Sequence, residues 1–109
     1  MANSGLAQHV FNVERRRAER EQVFYRTTLR LEGERHVPVE LVNLSRTGFM
    51  ARTQAALSEE MRLHIPLPVT GELSARVVWS LGGRIGAEFR NAIDPATYFT
   101  LLASLPRGD

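Results

Sequence analysis

The chain has 109 residues, 43% of them apolar, no cysteine and a formal net charge of +2. That length holds one domain with a modest core, and no apolar run approaches the roughly 20 residues that span a bilayer, so membrane insertion is excluded as an expectation. Zero cysteines exclude a disulfide framework, a thiol nucleophile and the commonest zinc ligands, and residues 1–12 lack the features of a secretory signal, which predicts a cytoplasmic protein.

Residues 1–13 show no sustained period and are expected to form a flexible lead-in. The next segment, residues 14–21, is crowded with Arg15, Arg16, Arg17 and Arg20. All 14 basic residues of the chain are arginine and none is lysine. A GC-rich genome explains such a bias in bulk, but a local cluster offers chemistry: guanidinium forks bind phosphates and the O6/N7 edge of guanine bidentately and stack on flat bases.

Residues 22–31 alternate Val23, Tyr25, Thr27, Leu29 and Leu31 with Phe24, Arg26, Thr28 and Arg30, the period of a half-buried strand. Glu32-Gly33-Glu34 reads as a turn. A second strand follows with Val37, Val39, Leu41 and Asn43 on one face, running to about Leu44, and a third covers residues 49–53. Residues 55–60 form a polar loop, and residues 61–67 a fourth strand closed by Pro66 and Pro68. Leu73, Ala75, Val77, Trp79 and Leu81 then alternate with Ser74, Arg76, Val78 and Ser80. Gly82-Gly83 supplies a hairpin into a sixth strand at residues 84–90.

Asp94-Pro95 reads as N-cap and first helical residue, with Ala96, Phe99, Leu102, Ala103 and Leu105 at helical spacing before a tail at residues 106–109. Six short strands and one helix cannot leave a flat sheet half exposed at this size. The expectation is an all-β, six-stranded antiparallel barrel over residues 22–90, with the helix at residues 94–105 plugging or flanking it.

Two segments have the form RxxxR, Arg16 to Arg20 and Arg26 to Arg30. About two are expected by chance in so arginine-rich a chain, so placement must separate them. Arg26 and Arg30 lie within a strand, the ordinary place for solvated charge; Arg16 and Arg20 precede it, where a mobile segment can fold over a ligand. The segment Asn43-Leu44-Ser45-Arg46-Thr47-Gly48 has the form [DN]xSxxG, expected by chance only ~0.02 times. It also reads simply as a strand end with a turn, Asn and Ser bonding nearby backbone and Gly supplying a left-handed position. Asn43-Leu44-Ser45 satisfies the N-glycosylation sequon as well, which requires a secretory route.

In order and spacing, Glu14-Arg15-Arg16-Arg17-Ala18-Glu19-Arg20, then Asn43 to Gly48, then Ala75-Arg76-Val77-Val78-Trp79, then Ile85-Gly86-Ala87-Glu88-Phe89, the chain resembles the PilZ domain family from Glu14 to about Asn91, and a single domain of that kind is expected over residues 14–105. The resemblance implies a six-stranded barrel with a helix near its C-terminus, and a receptor for cyclic di-GMP with no cofactor. Carried over, Arg16 and Arg20 hold the phosphates and the Hoogsteen edge of guanine, with Arg17 in the same loop. Asn43 and Ser45 bond guanine from the barrel side, and Gly48 keeps the wall open. Arg15, immediately before RxxxR, favours a stacked pair of ligand molecules.

Trp79 and Gly86 are weaker candidates for the same site, Trp79 reading first as a core residue. Three departures stand out: Asn43 where aspartate is commoner, and Glu19 and Glu21 beside Arg20, each expected to lower affinity by roughly 0.5 kcal/mol.

Other features carry less. His9, His36 and His64 lack metal-ligand spacing, Glu59 and Glu60 adjoin on a loop with no basic partner in view, and no GxSxG, P-loop or HExxH is present, so no catalytic machinery is visible. Two rival readings remain. One is a small barrel binding RNA or single-stranded DNA, in which the [DN]xSxxG turn has no role. The other is a PilZ-like adaptor that contacts protein without binding nucleotide. In the receptor reading the ligand reshapes a surface that an unidentified downstream protein reads.

Overall fold

The computed structural model describes residues 20–106. The lead-in at residues 1–13, Arg15, Arg16, Arg17 and the last three residues of the tail lie outside the described residues. Six strands, β1 (Glu21–Leu31), β2 (His36–Leu44), β3 (Gly48–Arg52), β4 (Arg62–Leu67), β5 (Gly71–Leu81) and β6 (Arg84–Phe89), are followed by one helix, α1 (Pro95–Ser104). All pairings are antiparallel, and the strands close in the order β1-β2-β3-β6-β5-β4. Closure depends on the end of β1, where Arg30 and Leu31 pair with His64 and Leu63 of β4. A sheet this small leaves no edge exposed by closing on itself, as the strand pattern predicts.

The interior is filled by the alternating apolar residues of each strand. Leu29, Leu41, Leu63, Ile65, Val77 and Ile85 are all buried, together with Leu57 from the β3–β4 loop. Gly33 and Glu34, with φ of 81° and 65°, turn the chain between β1 and β2, and Gly82 and Gly83 (61° and 79°) turn it between β5 and β6. The turns of the sequence reading thus stand where expected, in left-handed conformations that Gly33, Gly82 and Gly83 adopt readily and Glu34 adopts against the preference of a residue with a Cβ.

Two expectations of strand phase are corrected. β2 carries an extra residue at Val42 relative to β3, since Leu41 faces Ala51 while Asn43 faces Met50. Asn43 therefore leaves the face it was expected to share with Leu41, and Leu44 takes the buried position. β5 carries an extra residue at Val78 relative to β6, since Val77 faces Ala87 while Trp79 faces Gly86. Trp79 and Leu81, expected inside, point outward and are 37% and 79% exposed. A bulge reverses the alternation beyond it, and strict period two cannot announce it.

Helix α1 begins at Asp94, whose Oδ2 accepts from Thr97 N at 3.0 Å and from Thr97 Oγ1 at 3.2 Å. Its buried face is also corrected. Tyr98, Leu101 and Leu105 are buried, while Phe99, which the sequence reading placed on the apolar stripe, is 76% exposed. Tyr98 wins the inward place because its hydroxyl finds a partner there, donating to Leu44 O at 3.0 Å. Phe24 N donates to Pro106 O at 2.9 Å, so the chain after α1 returns to the start of β1. The helix therefore closes the end of the barrel at which β1 and β3 begin and β2 and β6 finish.

Truncating Leu41, which has no exposed surface, to alanine is expected to cost about 2–5 kcal/mol in chemical denaturation, as for other enclosed leucines. Thr97's backbone and hydroxyl donors hold the Asp94 carboxyl below its ordinary range. That contribution is present above the unfolded carboxyl's pKa and disappears as pH falls through the folded one. Asp94→Ala should accordingly lower Tm at neutral pH, and the gap from wild type should narrow in acid.

Candidate ligand-binding site

The turn at residues 43–48 connects β2 to β3 and is built from its own side chains. Ser45 Oγ accepts from Thr47 N and from Gly48 N, each at 3.1 Å, and Ser45 N donates to Gly48 O at 2.9 Å. Ser45 is only 8% exposed. Its hydroxyl lies 3.3 Å from Gly48 O and 3.2 Å from Thr47 Oγ1. A serine folded back in this way holds a turn at the cost of the usual strand ladder. Gly48 does not occupy a left-handed conformation, contrary to the simple turn reading. A Cβ there would collide with Ala87 O, so glycine is required by the close approach of β6.

The turn is fixed from outside as well. Arg46 and Ile93 exchange bonds, Ile93 N donating to Arg46 O at 2.8 Å and Arg46 Nε to Ile93 O at 2.7 Å. Phe89 N donates to Thr47 O at 2.8 Å, and the Tyr98 hydroxyl to Leu44 O. Four bonds thus join this short turn to the end of β6, to the β6–α1 connection and to the helix, which leaves it little freedom. Nothing in the pattern of apolar residues marks Arg46 and Tyr98 for this part; an arginine inside the motif was the only available hint.

Asn43 sits outward on the bulged end of β2, and Arg20 Nε donates to its Oδ1 at 2.9 Å. The fold therefore brings together two residues 23 positions apart that belong to the two separate motifs. Along the same outer wall, Asn43 faces Met50 on β3, Met50 faces Gly86 on β6, and Gly86 faces Trp79 on β5. At about 4.8 Å per strand this row spans about 14 Å. The Trp79 indole lies over Gly86 so closely that a Cβ on Gly86 would strike the ring. Glycine here clears space for a flat aromatic surface laid along the barrel wall.

The remaining sequence candidates disperse. His64 Nδ1 lies 3.1 Å from Ser74 Oγ on the β4–β5 wall. Glu60, read as lacking a basic neighbour, pairs with Arg76 at 3.3 Å. Among the described residues no group of three or more His, Asp or Glu side chains could hold a metal, and no helix is long and apolar enough to cross a membrane.

Trp79 is the one tryptophan of the chain, which makes the wall directly observable. Gly86→Ala must lift the indole, and its fluorescence maximum should move to longer wavelength. Gly48→Ala should destabilise by about 1–3 kcal/mol through the clash with the β6 backbone, measured by denaturant unfolding.

No curated protein matches the sequence. Among solved structures the chain is similar to the PilZ domain with c-di-GMP of YcgR from Escherichia coli, with a TM-score of 0.54 and 19% identity over 76% of this chain and 82% of that one. At that identity the likeness establishes the fold. The family model of the PilZ domain matches residues 14–105, from the arginine cluster through α1. With the closed barrel and the ordered motifs, that match shows that the chain belongs to the PilZ domain family.

Proposed function

We propose that this PilZ domain is a receptor for cyclic di-GMP, and that the ligand orders the arginine-rich segment, residues 14–21, against the wall formed by Asn43, Met50, Gly86 and Trp79. The observation that carries the reading is the contact of Arg20 Nε with Asn43 Oδ1 at 2.9 Å. A guanidinium rich in donors and an amide acceptor side by side form the complement of a guanine, which carries O6 and N7 as acceptors and N1–H and N2–H as donors. The family supports the same ligand, as does the cyclic di-GMP named with the E. coli domain of like fold.

In this reading Arg16 and Arg20 grip phosphate and guanine, with Arg15 and Arg17 adding charge from the same segment. Asn43 releases Arg20 to take a guanine edge, and the Ser45 hydroxyl hydrogen turns from Gly48 O toward the base. Trp79 presents its ring to a base or to a stacked arginine, over the space that Gly86 leaves. Gly48 serves by keeping β3 against β6, so that the turn stays in register. Ordering of an arginine segment costs chain entropy, which charge-assisted bonds to two phosphates offset. The reshaped wall is then what a downstream protein reads, with no reaction catalysed.

A calorimetric titration with cyclic di-GMP at physiological salt, with GTP and a short oligonucleotide as controls, tests the reading. Saturable binding of cyclic di-GMP alone is expected, with two ligands per chain if Arg15 promotes a stacked pair. Arg16→Ala, Arg20→Ala and Asn43→Ala should each weaken it by about 1.5–3 kcal/mol, and Trp79 emission should change on saturation. Undiminished affinity in both arginine variants would place the site elsewhere; preference for the oligonucleotide, with steep salt dependence, would favour a nucleic-acid module.

A further inference from the structure

Exposed arginines are paired in some places on the barrel exterior and unpaired in others, with Arg62 facing Arg76 across the β4–β5 pair. Around β4 and β5, Arg30 holds Glu72 by two bonds, at 3.1 and 2.8 Å, and Arg76 lies between Glu60 and Glu88 at 3.3 and 2.9 Å. On the wall of β1, β2 and β3, Glu40 stands between Arg26 and Arg52, 3.6 Å from each and beyond hydrogen-bond length. Arg35 and Arg84 form no ion pair among the described residues. Arg84 faces Arg52 directly across the β3–β6 pair, and like charges so placed are destabilising unless something anionic meets them.

The same wall carries a groove of about 510 Å³. It opens because β3 stops at Arg52: β2 pairs with β3 only from Glu40 onward, so residues 36–39 have β1 on one side and no strand on the other. Arg26, Arg35, His36 and Arg52 line it, with Glu40 among them. An added strand suits this edge poorly. Pro38 has no N–H to give, and its carbonyl already accepts from Thr53 Oγ1 at 3.3 Å. Recognition must therefore come from side chains, of which the charged ones in the lining are Arg26, Arg35, Arg52 and Glu40.

We propose that this groove docks an acidic segment of a partner protein, its carboxylates bridging Arg35 and Arg52 in the groove and Arg84 beside it, opposite Arg52 on β6. Protein carboxylates fit better than nucleic acid for two reasons. Among the described residues no Phe, Tyr or Trp lines the groove for bases to stack on. Glu40 interrupts the positive surface, and side chains spaced along a peptide can straddle it where a continuous phosphate backbone cannot. The arginine row of Arg52 and Arg84 adjoins the row of Met50 and Gly86 on the same two strands. A partner seated there borders the wall assigned to the nucleotide, although the proposal itself does not depend on that assignment.

The test is fluorescence anisotropy on the full chain at about 0.15 M salt. The probes are a labelled peptide of alternating glutamate and serine and its glutamine counterpart. Saturable binding of the glutamate peptide alone is expected. Arg35→Glu and Arg52→Glu should each weaken it about tenfold, while Arg90→Glu, outside the groove, leaves it within about twofold and cyclic di-GMP titrations of Arg35→Glu match wild type. Arg35→Gln, at an exposed position outside any ion pair among the described residues, keeps the experiment decisive if Arg52→Glu fails to fold.

Equal loss in Arg90→Glu, tighter binding of a short single-stranded oligonucleotide than of the peptide, or loss of nucleotide rather than peptide binding in the groove variants would each overturn the proposal.

Discussion

The structure turns on closure of the sheet by β1. This strand pairs with β2 along most of its length and gives only its last two residues, Arg30 and Leu31, to β4. Six short strands can meet in that way only if they tilt and coil, and bulges are how antiparallel strands accommodate the added curvature. The extra residues at Val42 and Val78 are such bulges. Both do more than bend a strand, because each rotates a polar or aromatic side chain out of the core and onto one outer wall.

That wall is held by a turn with almost no slack. Ser45 binds the turn from within, while Ile93, Phe89 and Tyr98 bind it from the β6–α1 side. Preorganisation of this kind lowers the entropy lost when a ligand is captured, and it leaves the arginine segment as the part that must become ordered. The Tyr98 hydroxyl also explains the orientation of α1. A helix whose more apolar stripe included Phe99 turns Tyr98 and Leu101 inward instead, because buried Leu44 at the end of β2 offers a carbonyl that needs a donor.

Exposed charge on the barrel is satisfied in some places and left over in others. Where Arg30, Arg76, Glu60, Glu72 and Glu88 meet, charges are paired and solvated, the usual state of a protein surface, and such exposed pairs contribute little to stability. Where Glu40 serves two arginines at once and Arg84 faces Arg52, positive potential is left over.

Much of this was legible in the sequence for physical reasons. Alternation of apolar residues marks strands because side chains on a strand point to opposite faces. Gly82-Gly83 marks a hairpin because left-handed backbone is costly for other residues, and Asp94-Pro95 marks a helix start because one supplies an acceptor and the other a preset φ. The [DN]xSxxG segment stood out because its chance frequency is low. What only the tertiary structure decided is phase and proximity. A bulge leaves no local signature in Val42 or Val78, so the outward turn of Asn43 and Trp79 depended on the partner strands. The meeting of Arg20 with Asn43, the clamp of Arg46 on Ile93 and the clash that demands glycine at position 48 are all contacts between segments distant in sequence. They exist only once the barrel has closed.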